Sequence, residues 1–142
     1  MALSDRGLRL AALVLALAGL GVAGYLTYVH YAELEPLCGL GGDCERVQTS
    51  VYAEVAGVPV ALLGLAGYAL ILASLFVRGD LGLVGGAALA LIGFGFSAYL
   101  TYRELFTIEA ICSWCVASAV LLTLVAGVTC LRVVRAGTRL PP

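Results

Sequence analysis

Four long apolar segments constrain most strongly what this chain can fold into. Each is about as long as the roughly 20 apolar residues that a helix needs to cross a bilayer. Of the 142 residues, 62% are hydrophobic and only 12% are charged, which is about half the charged fraction of a typical soluble domain. We therefore predict an all-α membrane protein, a single domain over residues 1–142 built as a bundle of four transmembrane helices. The segments are 8–29, 59–77, 81–102 and 111–134.

The first segment shares features with a secretory signal peptide, because Arg6 and Arg9 precede it and small residues lie near its end. Its apolar stretch continues to Val29, however, which is longer than the roughly 7–15 apolar residues of a signal-peptide core. We therefore expect the segment to be retained as the first transmembrane helix.

The distribution of arginines predicts the orientation in the membrane. The chain has no lysine, and its arginines divide six to two between the two sides that the four segments define. By the positive-inside rule, both termini and the 78–80 turn are cytoplasmic, and the long 32–58 connection lies outside. The sequence has no basic patch that would indicate a nucleic-acid partner. The apolar segments predict that the chain is surrounded by the lipid bilayer. The cytoplasmic set is Arg6, Arg9, Arg78, Arg132, Arg135 and Arg139, and the outer set is Arg46 and Arg103.

Four of the five cysteines fall on the predicted outer side, where the environment is oxidising. Cys38 and Cys44 lie in the glycine-rich outer loop, and Cys112-x-x-Cys115 opens the last apolar segment. A Cys-x-x-Cys pair is typical of a redox couple, and a helix N-terminus stabilises a thiolate. Since exchange requires a thiolate to reach a disulfide sulfur, two pairs on one side predict a relay from a protein partner to a lipid-soluble quinone. Cys130, near the opposite side, is predicted to be a small apolar filler.

Other interpretations of the four outer cysteines are less favoured. A structural disulfide across the short Cys38–Cys44 loop would restrain little unfolded-chain entropy. A metal site is disfavoured because the Cys-x5-Cys spacing exceeds that of a usual zinc knuckle and the second pair begins a membrane helix, so we predict no metal. The interiors of the segments carry no charged residue that could mark an ion or proton path, which argues against a transporter. A non-catalytic membrane scaffold with structural disulfides remains the second hypothesis.

The outer loop contains one amphipathic pattern. Val47, Val51 and Val55 recur at every fourth residue, with polar side chains off that line. This spacing predicts a short helix over 46–55 that lies flat at the membrane surface, where it could cap a pocket among the helix ends. An ordinary loop with incidental valines is the alternative.

The ordered set of motifs resembles the vitamin K epoxide reductase family, in its compact bacterial form without a fused thioredoxin-like domain. The resemblance implies a four-helix bundle around a quinone, capped by the 46–55 helix. It spans residues 38–115 in the family's order. The matching positions are Cys38-x5-Cys44, Ser50, Tyr52, Gly57-x-Pro59, Gly64 and Cys112-x-x-Cys115.

The resemblance also implies roles for the cysteines and for Ser50. By the family pattern, Cys115 faces the quinone, and Cys112 exchanges with the loop through Cys44. Cys38 then resolves the mixed disulfide formed with the partner. Ser50 matches a loop hydroxyl associated with the quinone or with organisation of the active site.

Three further residues are candidate quinone contacts. Animal members of the family have an asparagine at the position of Val60 and a tyrosine at that of Ala119, and Trp114 lies between the two cysteines. The apolar Val60 and Ala119 favour quinone reduction over epoxide reduction.

The predicted function is that of a quinone-dependent thiol oxidase of the cell envelope. Electrons would pass from a separate thioredoxin-like (DsbA-like) protein to a menaquinone or ubiquinone, supporting disulfide-bond formation. The predicted location is the bacterial inner membrane, with the active site on its outer face. A naphthoquinone or vitamin K (epoxide) reductase that uses the same cysteines is the alternative. A second envelope disulfide-oxidase family ranks lower, because its Cys-x-x-Cys precedes the other pair along the chain.

Overall fold

The computed structural model of the chain describes residues 5–32, 54–55, 57–108 and 113–139. Within them, four helices form the body of the protein. A two-stranded hairpin precedes the second helix and a π-helical turn follows the third. The elements are α1 (Asp5–Tyr31), β1 (Glu54–Val55), β2 (Val58–Pro59), α2 (Val60–Phe76), α3 (Asp80–Arg103), the π-helical turn (Glu104–Ile108) and α4 (Ser113–Arg139).

The helices differ in length in a way that matters in a bilayer. Helices α1, α3 and α4 are long and apolar enough to cross a membrane. Helix α2 has 17 residues, or about 25 Å at a rise of about 1.5 Å per residue. A hydrocarbon core is about 30 Å thick. Three of the four predicted transmembrane helices are thus long and apolar enough to span a bilayer, as expected of a membrane protein, whereas α2 is shorter than the hydrocarbon core is thick.

The helices pack as a closed ring. Helix α1 packs against α2 and α4, and α3 packs against the same two helices. A cluster of buried aliphatic side chains fills the centre of the ring, and every helix contributes to it. Its members are Ala16, Ile71, Ala90, Val125 and Ala126.

Two glycines of α3, Gly82 and Gly86, allow it to lie directly against the end of α2. A Cβ atom on Gly82 would overlap the carbonyl oxygen of Val77, and one on Gly86 would overlap the hydroxyl of Ser74. The turn between the two helices is tight because Gly79 adopts a positive φ of 85°. Helices α2 and α3 are therefore antiparallel neighbours.

Arginine side chains tie the helices together at one end of the bundle, which we call the arginine end. Arg9 on α1 donates a hydrogen bond from Nε to the carbonyl oxygen of Leu75 at 3.0 Å. Its guanidinium carbon also lies 5.8 Å from the centre of the Phe76 ring. Nε of Arg132 on α4 is 3.8 Å from a carboxylate oxygen of Asp5 on α1. The opposite end, where α4 begins next to the Cys-x-x-Cys motif, is the cysteine end.

Replacing Arg9 with methionine is expected to lower the free energy of unfolding by about 1 kcal/mol, because a carbonyl near the end of α2 loses its donor. Thermal denaturation in detergent micelles measures the change. Arg6→Met is the matched control, since Arg6 is an exposed arginine one turn earlier on α1. An equal loss of stability in both variants would show that Arg9 contributes through its charge alone.

The predicted amphipathic helix over 46–55 is wrong at its C-terminal end. Residues 54 and 55 form β1, which pairs antiparallel with β2 so that Val55 faces Val58. Gly57 turns the chain with a φ of 83°, and Pro59 restricts Val58 to an extended backbone. The conformational preferences of Gly57 and Pro59 therefore outweigh the helical pattern of a valine at every fourth residue. Residues 46–53 lie outside the described part of the chain.

Candidate active site

A cavity of about 330 Å³ lies among the four helices, nearer the cysteine end. Its volume is at the lower end of the range of about 300–1,000 Å³ typical of small-molecule pockets. Most of its lining is apolar, with a few hydroxyl groups and one thiol. The lining residues are Val22, Ala23 and Leu26 from α1, Val60, Ala61, Leu63, Gly64, Gly67, Tyr68 and Ile71 from α2, Leu89, Ile92, Gly93, Phe96, Ser97, Leu100 and Thr101 from α3, and Cys115, Ser118 and Leu122 from α4.

The central aliphatic cluster closes the cavity toward the arginine end. Ile71 belongs to that cluster, and Leu89 and Leu122 pack against it while also lining the cavity. On the side, the cavity reaches the outer surface of the bundle between α2 and α3. There Leu63 and Ile92 line it although they are 42% and 71% exposed. The cavity is thus closed toward the arginine end and open to the side, between α2 and α3.

Cys115 is the cysteine that the structure brings to this cavity. It lies in the first turn of α4, half-buried in the cavity wall. Backbone N–H groups in the first turn of a helix lack intrahelical acceptors, so they favour negative charge on a nearby sulfur. Among the other predicted site residues, Cys38, Cys44, Ser50 and Cys112 lie outside the described residues.

An aromatic contact holds the first turn of α4 against α1. The rings of Trp114 and Tyr25 are tilted by 39°, with 4.8 Å between their centroids. Tyr25, Tyr28 and Tyr31 lie near the C-terminal end of α1, and tyrosines near the end of a membrane helix are typical of the membrane interface. The latter two are each 63% exposed, whereas Tyr25 is half-buried and packs beside the redox motif. Tyr25 therefore helps to fix the position of Cys115.

The three predicted quinone contacts outside the loop differ in their placement. Val60, the first residue of α2, lines the cavity. Among the described residues that form the lining, neither Trp114 nor Ala119 is found. The carbonyl oxygen of Ala119 accepts a hydrogen bond from the hydroxyl of Thr123 at 2.8 Å. A role in quinone contact stays a prediction for all three residues.

Sequence reasoning missed a polar pair on the cavity wall. Tyr68 on α2 is 1% exposed. Its phenol oxygen lies 3.1 Å from the carbonyl oxygen of Ser118 and 3.0 Å from the Ser118 hydroxyl. One sequence signal pointed to it: of the seven tyrosines, Tyr68 is the one in the middle of an apolar segment. Tyrosines of membrane proteins usually lie at the interface, and a buried one needs a hydrogen-bond partner.

The fold and the cavity define a class: a membrane-embedded protein with an apolar small-molecule site whose wall carries a cysteine. The family model described as the vitamin K epoxide reductase family matches residues 10–130, which is most of the chain. This chain therefore belongs to the vitamin K epoxide reductase family, as its cysteine pattern predicted. Membership makes it a membrane oxidoreductase, in a family that is generally linked to quinones.

Proposed function

We propose that this protein is a quinone-dependent thiol oxidase of the bacterial cell envelope. Electrons would enter from a reduced thioredoxin-fold, DsbA-like protein at Cys38 and Cys44. They would then pass to Cys112 and Cys115 and leave on a membrane quinone. The observation that carries this proposal is the position of Cys115 on the wall of an apolar cavity that all four helices line.

The cavity suits the head group of a quinone in size, polarity and access. Its volume of about 330 Å³ accommodates a small ring system. Apolar side chains match the faces of such a ring, and the few hydroxyl groups are of the kind that bond carbonyl oxygens. The lateral opening at Leu63 and Ile92 gives a lipid-soluble molecule a route from the bilayer. Val60 offers no donor to an epoxide oxygen, which favours quinone over epoxide as the acceptor.

The proposed relay conserves atoms and electrons at each step. The partner dithiol reduces the Cys38–Cys44 disulfide by thiol–disulfide exchange and is itself oxidised to a disulfide. The loop dithiol then reduces the Cys112–Cys115 disulfide, through Cys44 and Cys112. Finally, the helix-end dithiol gives two electrons and two protons to the quinone, which becomes a quinol, and the Cys112–Cys115 disulfide forms again.

The proposed location is the bacterial inner membrane, with both termini in the cytoplasm and the cysteine end on the outer face. The arginine end carries Arg6, Arg9, Arg78, Arg132 and Arg135, which agrees with the positive-inside rule. This orientation exposes the redox pairs to the oxidising side, where secreted proteins acquire disulfides.

An anaerobic assay tests the proposal. Purified protein in detergent is mixed with a reduced thioredoxin-fold protein and excess menaquinone or ubiquinone analogue, and the quinone absorbance is followed. We expect catalytic loss of quinone, with one partner disulfide formed per quinone consumed, above the rate of partner and quinone alone. No acceleration over that background, together with a loop disulfide that resists mild reductant, would instead favour the scaffold hypothesis.

A further inference from the structure

The Tyr68–Ser118 pair lies close to the thiol that the proposed function uses. Ser118 follows Cys115 by three residues on α4, so the two side chains share one face of the helix, about 5–6 Å apart at their Cβ atoms. Tyr68 approaches from α2, across the cavity. Its ring is held in place because it packs directly on Gly19 of α1, where a Cβ atom would overlap the ring.

The two hydroxyl groups of the pair have one proton more than their mutual hydrogen bond needs. In the structure the phenol hydroxyl donates a hydrogen bond to the carbonyl oxygen of Ser118 at 3.1 Å, and the phenol oxygen lies 3.0 Å from the Ser118 hydroxyl, where either group can donate. When the Ser118 hydroxyl donates to the phenol oxygen, the phenol proton is left to bond either the Ser118 carbonyl or a group in the cavity. Within α4, that carbonyl also accepts the helical hydrogen bond from the backbone N–H of the residue four positions later. It therefore stays satisfied if the phenol proton turns away.

The other hydroxyl groups on the cavity wall are less well placed to donate. The Thr101 hydroxyl donates to the carbonyl oxygen of Ser97 at 2.9 Å, within its own helix α3, whereas the phenol of Tyr68 bonds across to α4. Ser97 itself lines the cavity and is the remaining competitor. Tyr68 differs from both because a neighbouring hydroxyl orients it, and a hydrogen bond received at the phenol oxygen strengthens the phenol as a donor.

We infer that Tyr68 is the hydrogen-bond donor to one carbonyl oxygen of the quinone, and that Ser118 is a positioning residue that orients the phenol. This inference rests on the proposed function. Negative charge grows on the carbonyl oxygen as electrons arrive from the cysteine pair, so a phenol proton that turns from the Ser118 carbonyl to that oxygen stabilises the transition state more than the bound quinone. Both protons of the quinol come from the two thiols, and Tyr68 keeps its own.

The first test is Tyr68→Phe, which removes the hydroxyl and keeps the ring on Gly19. We expect kcat for quinone reduction to fall about 100-fold, the usual scale for losing one such donor. Reduction of the oxidised protein by dithiothreitol should be unchanged, since that half-reaction needs no carbonyl donor. Tyr28→Phe is the matched control, because Tyr28 is 63% exposed on α1.

Ser118→Ala should lower kcat for quinone reduction by about tenfold, because the phenol loses the hydroxyl that orients it. Ser118→Thr should restore kcat because the hydroxyl returns.

A second measurement reads the hydrogen bond itself. The carbonyl stretch of carbonyl-¹³C-labelled menadione bound to the wild type should lie below its value in an apolar solvent, and should rise toward that value in Tyr68→Phe. An unchanged band in Tyr68→Phe would overturn the inference, as would a band that moves only in Ser97→Ala. If the wild type reduces quinone and Tyr68→Phe does so equally well, this inference alone fails. If the wild type reduces none, the proposed function fails first.

Discussion

Replacing Cys115 with serine is expected to bring quinone reduction down to the rate measured without protein. The serine keeps the shape of the cavity wall, but without the second thiol the Cys112–Cys115 dithiol that gives two electrons to the quinone cannot form. In the anaerobic assay with a thioredoxin-fold partner, we expect at most one stoichiometric round of partner oxidation, at the loop pair, followed by a stall.

Cys130→Ser is the matched control for this variant. Cys130 is half-buried on the same helix, four turns toward the arginine end, which corresponds to about 22 Å. We expect its replacement to leave quinone reduction at the wild-type rate. Sustained turnover in Cys115→Ser, or an equal loss in Cys130→Ser, would contradict the proposed order of electron transfer.

Replacing Gly19 with alanine is expected to destabilise the protein by about 1–3 kcal/mol, although alanine is the better helix former. The added Cβ atom would overlap the ring of Tyr68, which is buried and cannot move away freely. The loss should appear as a lower midpoint of thermal unfolding in micelles. Quinone reduction should fall as well, since the displaced ring carries the phenol that lines the cavity.

Gly21→Ala is the control for this prediction, because nothing lies within 4 Å of the Cβ position on Gly21. It should be neutral or slightly stabilising. A double-mutant cycle sharpens the comparison. In a Tyr68→Leu background, Gly19→Ala should cost clearly less than in the wild type, because the overlapping ring is gone. Equal costs in the two backgrounds would show that the glycine matters for another reason.

Much of this fold could be predicted because its signals are local. Each apolar segment predicts its own helix, and the observed helix ends lie within five residues of the predicted bounds. Helices α1 and α3 are longer than predicted at both ends, α2 is one residue shorter at each end, and α4 begins two residues later and ends five residues later. The family, too, could be recognised, because the cysteine pairs and the intervening glycine and proline positions are linear motifs.

What could not be predicted depends on contacts between distant residues. Tyr68 and Ser118 are 50 residues apart, and no periodicity within either segment indicates that their hydroxyl groups meet. The Tyr25–Trp114 contact is of the same kind, because it joins residues of the first and last helices that no local pattern relates. The hairpin of β1 and β2 differs, because its signal is local: Gly57 adopts a positive φ and Pro59 restricts Val58 to an extended backbone, and these effects outweigh the helical spacing of the valines.

The Tyr25–Trp114 contact has a practical consequence. Trp114 is the single tryptophan of the chain, and it is the residue immediately before Cys115. Every photon of indole fluorescence from this protein therefore originates within one helical turn of that thiol, against a ring of the neighbouring helix. The molecule carries a built-in optical reporter on the first turn of α4, so changes there can be followed in the unmodified chain without an attached dye.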